Sequence, residues 1–249
     1  AALGAKFFTV EDQTLSPDQL SKIEEMQTWL TAHPAQGNAS PDVSPTEVTT
    51  ALLHMRALGA AGWDEITDAC LRCHQDLLTP LLTAMARSSF RLQYFPEVWK
   101  RAMTIAVPKP GRDLSSVDGY RPISLLSVMG KTIEFIMTQR LTFWLESEGK
   151  LSHTQFGFRR QKSAELAVWR FVDAASVAFR KSHQLGAISL DLKGAYDSVW
   201  TPGVLLRMQH ENIPAYIIRW VGSFLTNRKA DLLIGDHTSL WCLSRGAPQ

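Results

Sequence analysis

A single acidic side chain, Asp191, stands at the end of a predicted β-strand, where it could bind a metal ion. Polar and apolar side chains alternate through residues 188–192, and Asp191 falls on the polar side. Gly194 follows and permits a tight turn. A carboxylate carried on a rigid strand suits a divalent cation. The alternative reading is that Asp191 serves as an ordinary turn or cap residue.

Two cations lie beside prolines that restrict the backbone. Lys109 stands between Pro108 and Pro110, and Arg121 precedes Pro122. Because proline fixes its own backbone and keeps the preceding residue extended, both cations are presented with little freedom. A stiff backbone reduces the entropy lost when a cation binds a phosphate. Alternatively, each cation is simply a solvated turn residue.

A third stretch of the sequence, residues 156–163, mixes aromatic rings, cations and a hydroxyl group. Cations suit the phosphates of a nucleic-acid strand, and aromatic rings suit its sugars or bases. The candidate template-binding cations are Arg159, Arg160 and Lys162. The alternative is a polar loop whose phenylalanines, Phe156 and Phe158, belong to the core.

The net charge of the 249-residue chain is only +2, but the charges are unevenly distributed. Residues 1–99 carry 6 basic and 12 acidic side chains, whereas residues 100–162 carry 11 basic and 5 acidic ones. A basic zone near a metal-binding carboxylate suits a polyanion such as nucleic acid or a triphosphate. A solvated cationic face would leave the same pattern.

Composition argues against a membrane protein and against a secreted protein. No apolar run approaches the roughly 20 residues that a membrane helix needs, and the first residues lack the apolar core of a signal peptide. Three cysteines, an odd number, argue for a reducing compartment. We therefore expect no membrane association and an intracellular, non-secreted protein, in the nucleus or cytoplasm, with the mitochondrion left open. Cys70 and Cys73 have the spacing of a haem attachment site, but the helical pattern favours buried apolar cysteines.

Helices must supply most of the scaffold. Ser-Pro-x-Gln/Glu capping signals predict helices that begin at residues 16 and 44. Further helices are predicted over residues 64–89 with a kink at Pro80, 124–149, 164–181, 201–211 and 214–226. The helix over 164–181 is expected to bury Leu166, Trp169, Phe171, Val172 and Val177. A strand is predicted over 103–107, a second one ends at Asp191, and a hairpin over 231–243 turns at 235–238.

Five motifs in one order carry a resemblance to a known family. They are Val-Pro-Lys-Pro-Gly from residue 107, Tyr-Arg-Pro-Ile-Ser-Leu-Leu from 120, Gln-Phe-Gly-Phe-Arg from 155, Leu-Asp-Leu-Lys-Gly-Ala-Tyr-Asp-Ser-Val from 190, and Arg-Gly-Ala-Pro-Gln from 245. Together they resemble the reverse transcriptase of non-LTR (LINE-type) retrotransposons, and they look most similar to the fungal elements of that class. The resemblance runs from about residue 40 to the end.

The resemblance implies an α+β fold, an incomplete right-hand polymerase with fingers and part of the palm, helix-rich with a small antiparallel sheet. It divides the chain into an N-terminal helix and linker (1–40) and a partial reverse transcriptase domain (41–249), with fingers over about 41–185 and partial palm over about 186–249. The implied partners are an RNA template, a DNA primer and a dNTP. The oligomeric state stays open.

The resemblance also assigns roles to residues. Asp191 corresponds to the first metal-binding aspartate of the palm, and the Leu192 carbonyl adds a ligand for Mg²⁺. Lys109 and Arg121 correspond to the residues that hold the triphosphate. Tyr196 corresponds to the residue beneath the incoming sugar, which disfavours a 2′-hydroxyl. Gln249 begins a turn near the nascent base pair, Arg159 belongs to the template side of the fingers, and Asp197 is expected to be structural.

The sequence departs from the family pattern in one important respect. The second catalytic motif, Tyr/Phe-Ala-Asp-Asp, does not occur in the 249 residues. The complete enzyme would use two Mg²⁺ ions, whereas this chain would hold at most one, so we expect the chain as given not to polymerise. The alternative is a catalytically dead relic that at most binds nucleic acid. A third hypothesis, a metal-dependent phosphohydrolase, lacks the extra carboxylates and histidines of such sites.

Overall fold

The structure is a computed structural model in which two compact units are distinguished. The first unit comprises Ala1–Thr138 and Gly194–Gln249, and the second comprises Gln139–Lys193. The structure describes residues 2, 5, 8, 15–34, 42–55, 59–192, 194–235, 237–243 and 245–247.

Helices account for most of the regular structure in the described residues. They are α1 (Pro17–Ala32), α2 (Pro45–His54), α3 (Asp68–Cys73), α4 (Gln75–Leu92), α5 (Val128–Ser147), α6 (Ala164–Arg180), α7 (Thr201–His210) and α8 (Ala215–Leu225). Both predicted capping boxes are present. The hydroxyls of Ser16 and Ser44 each accept from the backbone N–H of the third helical residue, and the serine backbone N–H donates to the side chain of that residue. None of the helices described here combines the length and the apolar content needed to cross a bilayer.

A four-stranded sheet lies in the first unit. Its strands are β1 (Arg101–Pro108), β2 (Tyr120–Leu125), β3 (Arg228–Ile234) and β4 (His237–Leu243), in the order β2-β1-β3-β4. β1 pairs antiparallel with β2, and β3 with β4, but β1 and β3 run parallel. The expected antiparallel sheet is therefore a mixed one. A long crossover containing several helices joins β1 to β3, as a parallel pair requires.

The core of the first unit is built around aromatic rings. Trp220 and Phe224 of α8 stack with their ring centroids 5.5 Å apart, and Phe95 meets both rings edge-on at 5.3 and 5.0 Å. Trp220 also donates its indole N–H to Ser89 Oγ at 2.9 Å, so its polar atom is satisfied. These contacts join α8 to α4 and to the segment that precedes β1.

A second contact set fixes the sheet against the loop before α3. The Arg101 guanidinium donates to both carboxylate oxygens of Asp231, at 2.5 and 3.1 Å, and lies 3.6 Å from the ring centroid of Trp63. This bond crosses the parallel β1–β3 pair and raises the pKa of Arg101. Arg101 of β1 is thus held by the Asp231 carboxylate of β3 and by the ring of Trp63, and these two contacts position the start of β1.

Several sequence predictions within this unit are corrected. The kink expected at Pro80 falls at His74, where α3 ends, so Pro80 lies in the second turn of an uninterrupted α4. Cys70 and Cys73 are exposed rather than buried, because the short α3 turns that face to solvent. The helix predicted from residue 124 begins at Val128, and the residues before it form β2.

The second unit differs most from prediction. Helix α6 forms over the expected residues, but none of its side chains is buried. The predicted strand that ends at Asp191 is absent: residues 184–192 have no regular secondary structure and pair with no strand in the described part of the chain. Ile188, Leu190 and Leu192 are accordingly 89%, 89% and 79% exposed. A strand requires a hydrogen-bonded neighbour, and an apolar face is buried only where another element covers it.

Candidate functional site

The β1–β2 hairpin brings Lys109 and Arg121 to one face of the sheet. Val107 pairs with Arg121, and the backbone N–H of Lys109 continues the ladder by donating to the Gly119 carbonyl at 2.7 Å. Because alternate residues of a strand share a face, Lys109 and Arg121 become diagonal neighbours, with their Cβ atoms about 7–8 Å apart. The sequence predicted each cation as a phosphate ligand by itself, and the strand register shows that the two lie on the same face of the hairpin.

The loop between these strands has a fixed conformation. The Asp113 carboxylate accepts hydrogen bonds from the Ser115 hydroxyl and backbone N–H, and these bonds lower the pKa of Asp113. The Tyr120 hydroxyl donates to the Leu114 carbonyl at 3.1 Å. A Cβ atom on Gly119 would stand 2.3 Å from the Asp113 carbonyl oxygen, so only glycine fits there. These contacts therefore restrict the conformation of the loop that connects the strands carrying Lys109 and Arg121.

The side chains of the pair differ in their present contacts. The Lys109 ammonium donates to the Asp118 carbonyl at 3.1 Å, which orients it without neutralising its charge. Arg121 is exposed, and among the described residues it has no ion-pair partner. Two uncompensated cations on one face of a stiff hairpin can bind adjacent phosphates of a polyphosphate.

Asp191 is exposed rather than buried against apolar neighbours. Its carboxylate and the carbonyl of Leu192 are oxygen donors of the kind that Mg²⁺ takes, and their exposure leaves room for water and phosphate ligands. No group of three or more His, Cys, Asp or Glu side chains that could hold a metal occurs in the part of the chain that the structure describes. The donors thus fit one magnesium ion that is completed by other ligands. Asp191 lies in the second unit and the Lys109–Arg121 pair in the first.

The turn that contains Tyr196 contacts the last motif of the chain. Ala247 donates its backbone N–H to the Tyr196 carbonyl at 3.0 Å, and Gly246 donates to Val199 at 2.9 Å. A Cβ atom on Gly246, whose φ is +101°, would lie 3.3 Å from the Asp197 carbonyl oxygen. The structure therefore joins two motifs that are separated by about 50 residues. Partial burial raises the pKa of Asp197. Gln249 lies outside the described residues.

The three candidate template-binding cations have different environments. Arg159 bonds to Glu146 and to the Ser152 carbonyl, and these bonds raise the pKa of Arg159 and lower that of Glu146. The Lys162 ammonium lies 3.4 Å from the His153 carbonyl oxygen, whereas Arg160 is exposed.

Sequence reasoning missed the conformation of Phe158. Its ring is 93% exposed, and its φ is +58°. The sequence offered one indication, since Phe158 stands between Gly157 and a run of polar residues that could not cover it.

The first unit thus combines a mixed sheet, two cations on one face of the β1–β2 hairpin and a turn that joins two distant motifs. Residues 107–249 match the family described as reverse transcriptase (RNA-dependent DNA polymerase), and the chain belongs to this family. The recognition made from the five motifs is thereby confirmed.

Similar proteins are encoded by mobile elements of insects. The RNA-directed DNA polymerase from mobile element jockey of Drosophila melanogaster is 31% identical over 83% of this chain and 23% of its own length. The probable RNA-directed DNA polymerase from transposon X-element of the same species is 28% identical over 84% of this chain and 23% of its own. The Pol polyprotein from type-1 retrotransposable element R1 of Bradysia coprophila is 28% identical over 94% and 22%.

The chain therefore spans about a quarter of the length of these relatives. They support the assignment to non-LTR retrotransposon reverse transcriptases. The similarity to fungal elements suggested by the motifs finds no support among them, since the sources are Drosophila melanogaster and Bradysia coprophila.

Proposed function

We propose that this chain supplies the fingers and part of the palm of an RNA-directed DNA polymerase, and that the β1–β2 hairpin binds the triphosphate of the incoming dNTP. The observation that carries the proposal is the register that places Lys109 and Arg121 on one face. Charge-assisted bonds from two fixed cations orient a triphosphate and offset its negative charge. The fingers extend over about residues 41–185 and the partial palm over about 186–249.

The remaining site residues are assigned in the same proposal. The Asp191 carboxylate and the Leu192 carbonyl would hold Mg²⁺, which when bound lowers the pKa of an attacking 3′-hydroxyl and neutralises phosphate charge. Tyr196 lies beneath the sugar, where its ring disfavours a 2′-hydroxyl, and Gln249 lies near the new base pair. The bonds between the Tyr196 turn and Gly246 support this grouping, because they bring the two motifs into contact.

The partners in this proposal are an RNA template, a DNA primer and a dNTP, which implies an intracellular location. Template binding is assigned to the loop that contains Arg159, Arg160 and Lys162. A second candidate function is nucleic-acid binding without synthesis. The exposed Phe158 and Arg160 favour it, because their use requires neither a metal nor a dNTP.

The test is dNTP binding to the purified chain, measured by calorimetry. We expect Lys109→Ala and Arg121→Ala each to weaken binding about tenfold to hundredfold, the effect of losing one charge-assisted hydrogen bond. Arg112→Ala is the matched control, because it removes the same charge from the same loop and should change affinity less than about threefold. Equal weakening by all three variants would contradict a specific triphosphate site and leave nucleic-acid binding as the better candidate.

A further inference from the structure

An exposed phenylalanine projects from the loop over residues 151–162, here called the Phe158 loop. The ring of Phe158 is 93% exposed, and the backbone φ of +58° is one that a bulky side chain rarely adopts. Gln161, three residues later, also has a positive φ, of +59°. An apolar ring in water and a left-handed backbone are both unfavourable, so the rest of the loop must enforce this conformation.

Arg159 supplies the main constraint. Its Nε donates to Glu146 Oε1 at 2.8 Å, and its Nη1 donates to the Ser152 carbonyl at 2.6 Å. The Arg159 side chain is only 10% exposed as a result. A planar guanidinium that binds a helix carboxylate on one side and a loop carbonyl on the other fixes the loop against the end of α5.

Lys162 provides a second internal contact. Its ammonium lies 3.4 Å from the His153 carbonyl oxygen and 5.1 Å from the centroid of the Phe156 ring. Two of the three cations therefore hold the loop together. Arg160 is exposed, and the described residues offer it no ion-pair partner.

We propose that the Phe158 ring stacks on an unpaired base of a single-stranded RNA, while Arg160 binds an adjacent phosphate. Arg159 and Lys162 are then positioning residues that hold Phe158 in its exposed conformation. This inference rests on the proposed template-binding function and deepens it, because it separates the residues that contact RNA from those that shape the loop. It changes the role expected of Arg159, whose three guanidinium nitrogens each already donate to a group within the protein.

The charge and composition of the loop favour a nucleic acid over a protein partner. Residues 151–163 contain three cations and no acidic side chain, and Glu146, which forms an ion pair with Arg159, lies outside this segment. Along the chain the ring is flanked by Gly157, Arg159 and Arg160, which add no apolar side chain beside it. A single aromatic ring beside a free cation fits a base and its phosphate, whereas a protein interface needs a contiguous apolar patch.

The experiment measures binding of a short single-stranded RNA that carries 2-aminopurine, by anisotropy and by quenching of the base fluorescence. Phe158→Leu keeps the apolar character but removes the aromatic face, and should weaken binding about fivefold or more and abolish the quenching. Phe158→Trp should retain both. Phe143→Ala is the matched control, because Phe143 is 75% exposed on α5 and should leave both readouts unchanged.

The phosphate contact of Arg160 and the positioning role of Arg159 predict different dependences of RNA affinity on salt concentration. Arg160→Ala should reduce the slope of log affinity against log salt by ~0.7, the value for one phosphate contact with a single strand. Arg159→Lys keeps the charge but loses the two-sided bond, and should weaken binding without changing the slope. Because Arg159 acts through Phe158, the double variant Arg159→Lys/Phe158→Leu should bind no more weakly than Phe158→Leu alone.

The outcomes separate this inference from the proposed function. If the parent chain binds RNA and Phe158→Leu binds equally well with the same quenching, the stacking role is wrong and the template-binding function survives. Should the parent chain fail to bind RNA, template binding by the loop is itself contradicted, and the stacking role with it. Circular dichroism of each variant distinguishes loss of contact from loss of fold.

Discussion

Glu134 and Arg228 show how individual ionisable residues are constrained by the fold. Burial raises the pKa of Glu134, opposed by the nearby charges of Arg228 and Lys131. Burial lowers the pKa of Arg228 to about 10, opposed by Glu134. Arg228 also donates to the Phe224 carbonyl at 2.9 Å and lies over the Phe224 ring. These two residues are not visible as a pair in the sequence, because they are 94 positions apart and only packing brings them together.

The raised pKa of Glu134 predicts a pH-dependent stability. The folded state binds this proton more tightly than the unfolded state, so the contribution of Glu134 is greatest at and below its ordinary pKa of 4.5 and is lost as pH rises through the folded pKa. Glu134→Gln removes this dependence. Its free energy of unfolding relative to the parent should therefore rise as pH increases from about 4.5, in urea titrations at several pH values. A pH-independent difference, like that expected for the exposed Glu148→Gln, would contradict the raised pKa of Glu134.

Among the elements, strand β2 illustrates what sequence patterns could not give. The sequence predicted a stiff, extended backbone at Arg121, before Pro122, with a solvated turn as the alternative, but it predicted no strand there. β2 is an edge strand of the sheet, and Pro122 pairs with Ala106 in it, a position where a missing N–H is tolerated. By contrast, helices α1 and α2 and the β3–β4 hairpin were predicted well. Their capping boxes and turn residues are local signals that need no tertiary partner.

The loop behind the two cations predicts a glycine requirement. A Cβ atom on Gly119 would meet the Asp113 carbonyl oxygen at 2.3 Å and its carbonyl carbon at 3.1 Å. Both are backbone atoms, so the loop must shift, and we expect Gly119→Ala to destabilise the protein by about 2 kcal/mol or more. The same variant should weaken dNTP binding. Gly186→Ala, whose Cβ would meet nothing within 4 Å, is the control; equal stability of the two variants in urea titrations would contradict the loop geometry.

For the whole molecule, burial was predicted correctly for several core residues of the first unit, but wrongly for Cys70 and Cys73 and for helix α6 of the second unit. Val48, Leu52, Ile133 and Ile217 are buried as expected. None of the apolar side chains of α6 is buried, although their spacing is that of a buried helix face. Periodicity identifies which residues can be buried together, but it does not reveal what covers them. The same limit explains why residues 186–192 have strand-like alternation without forming a strand.

The aromatic cluster should dominate the stability of the first unit. Trp220 is fully buried and packs against Phe90, Phe95 and Phe224. Trp220→Ala should therefore lower the free energy of unfolding by about 3–5 kcal/mol, and leave the Ser89 hydroxyl without its indole partner. Trp169→Ala, at a tryptophan that is 64% exposed, removes the same atoms and should cost less than about 1 kcal/mol. Comparable losses in the two variants would show that Trp220 is not the centre of the core.

The central proposal is that the β1–β2 hairpin binds a dNTP and that Asp191 is a magnesium ligand, and magnesium-dependent dNTP binding tests it most directly. In calorimetry with and without Mg²⁺, the parent chain should bind dNTP more tightly when the metal is present. Asp191→Asn should lose this enhancement while keeping the metal-free affinity, whereas the exposed Asp173→Asn should behave like the parent. Retention of the full magnesium enhancement by Asp191→Asn would contradict the assignment of Asp191 as a metal ligand, and with it the proposed polymerase site.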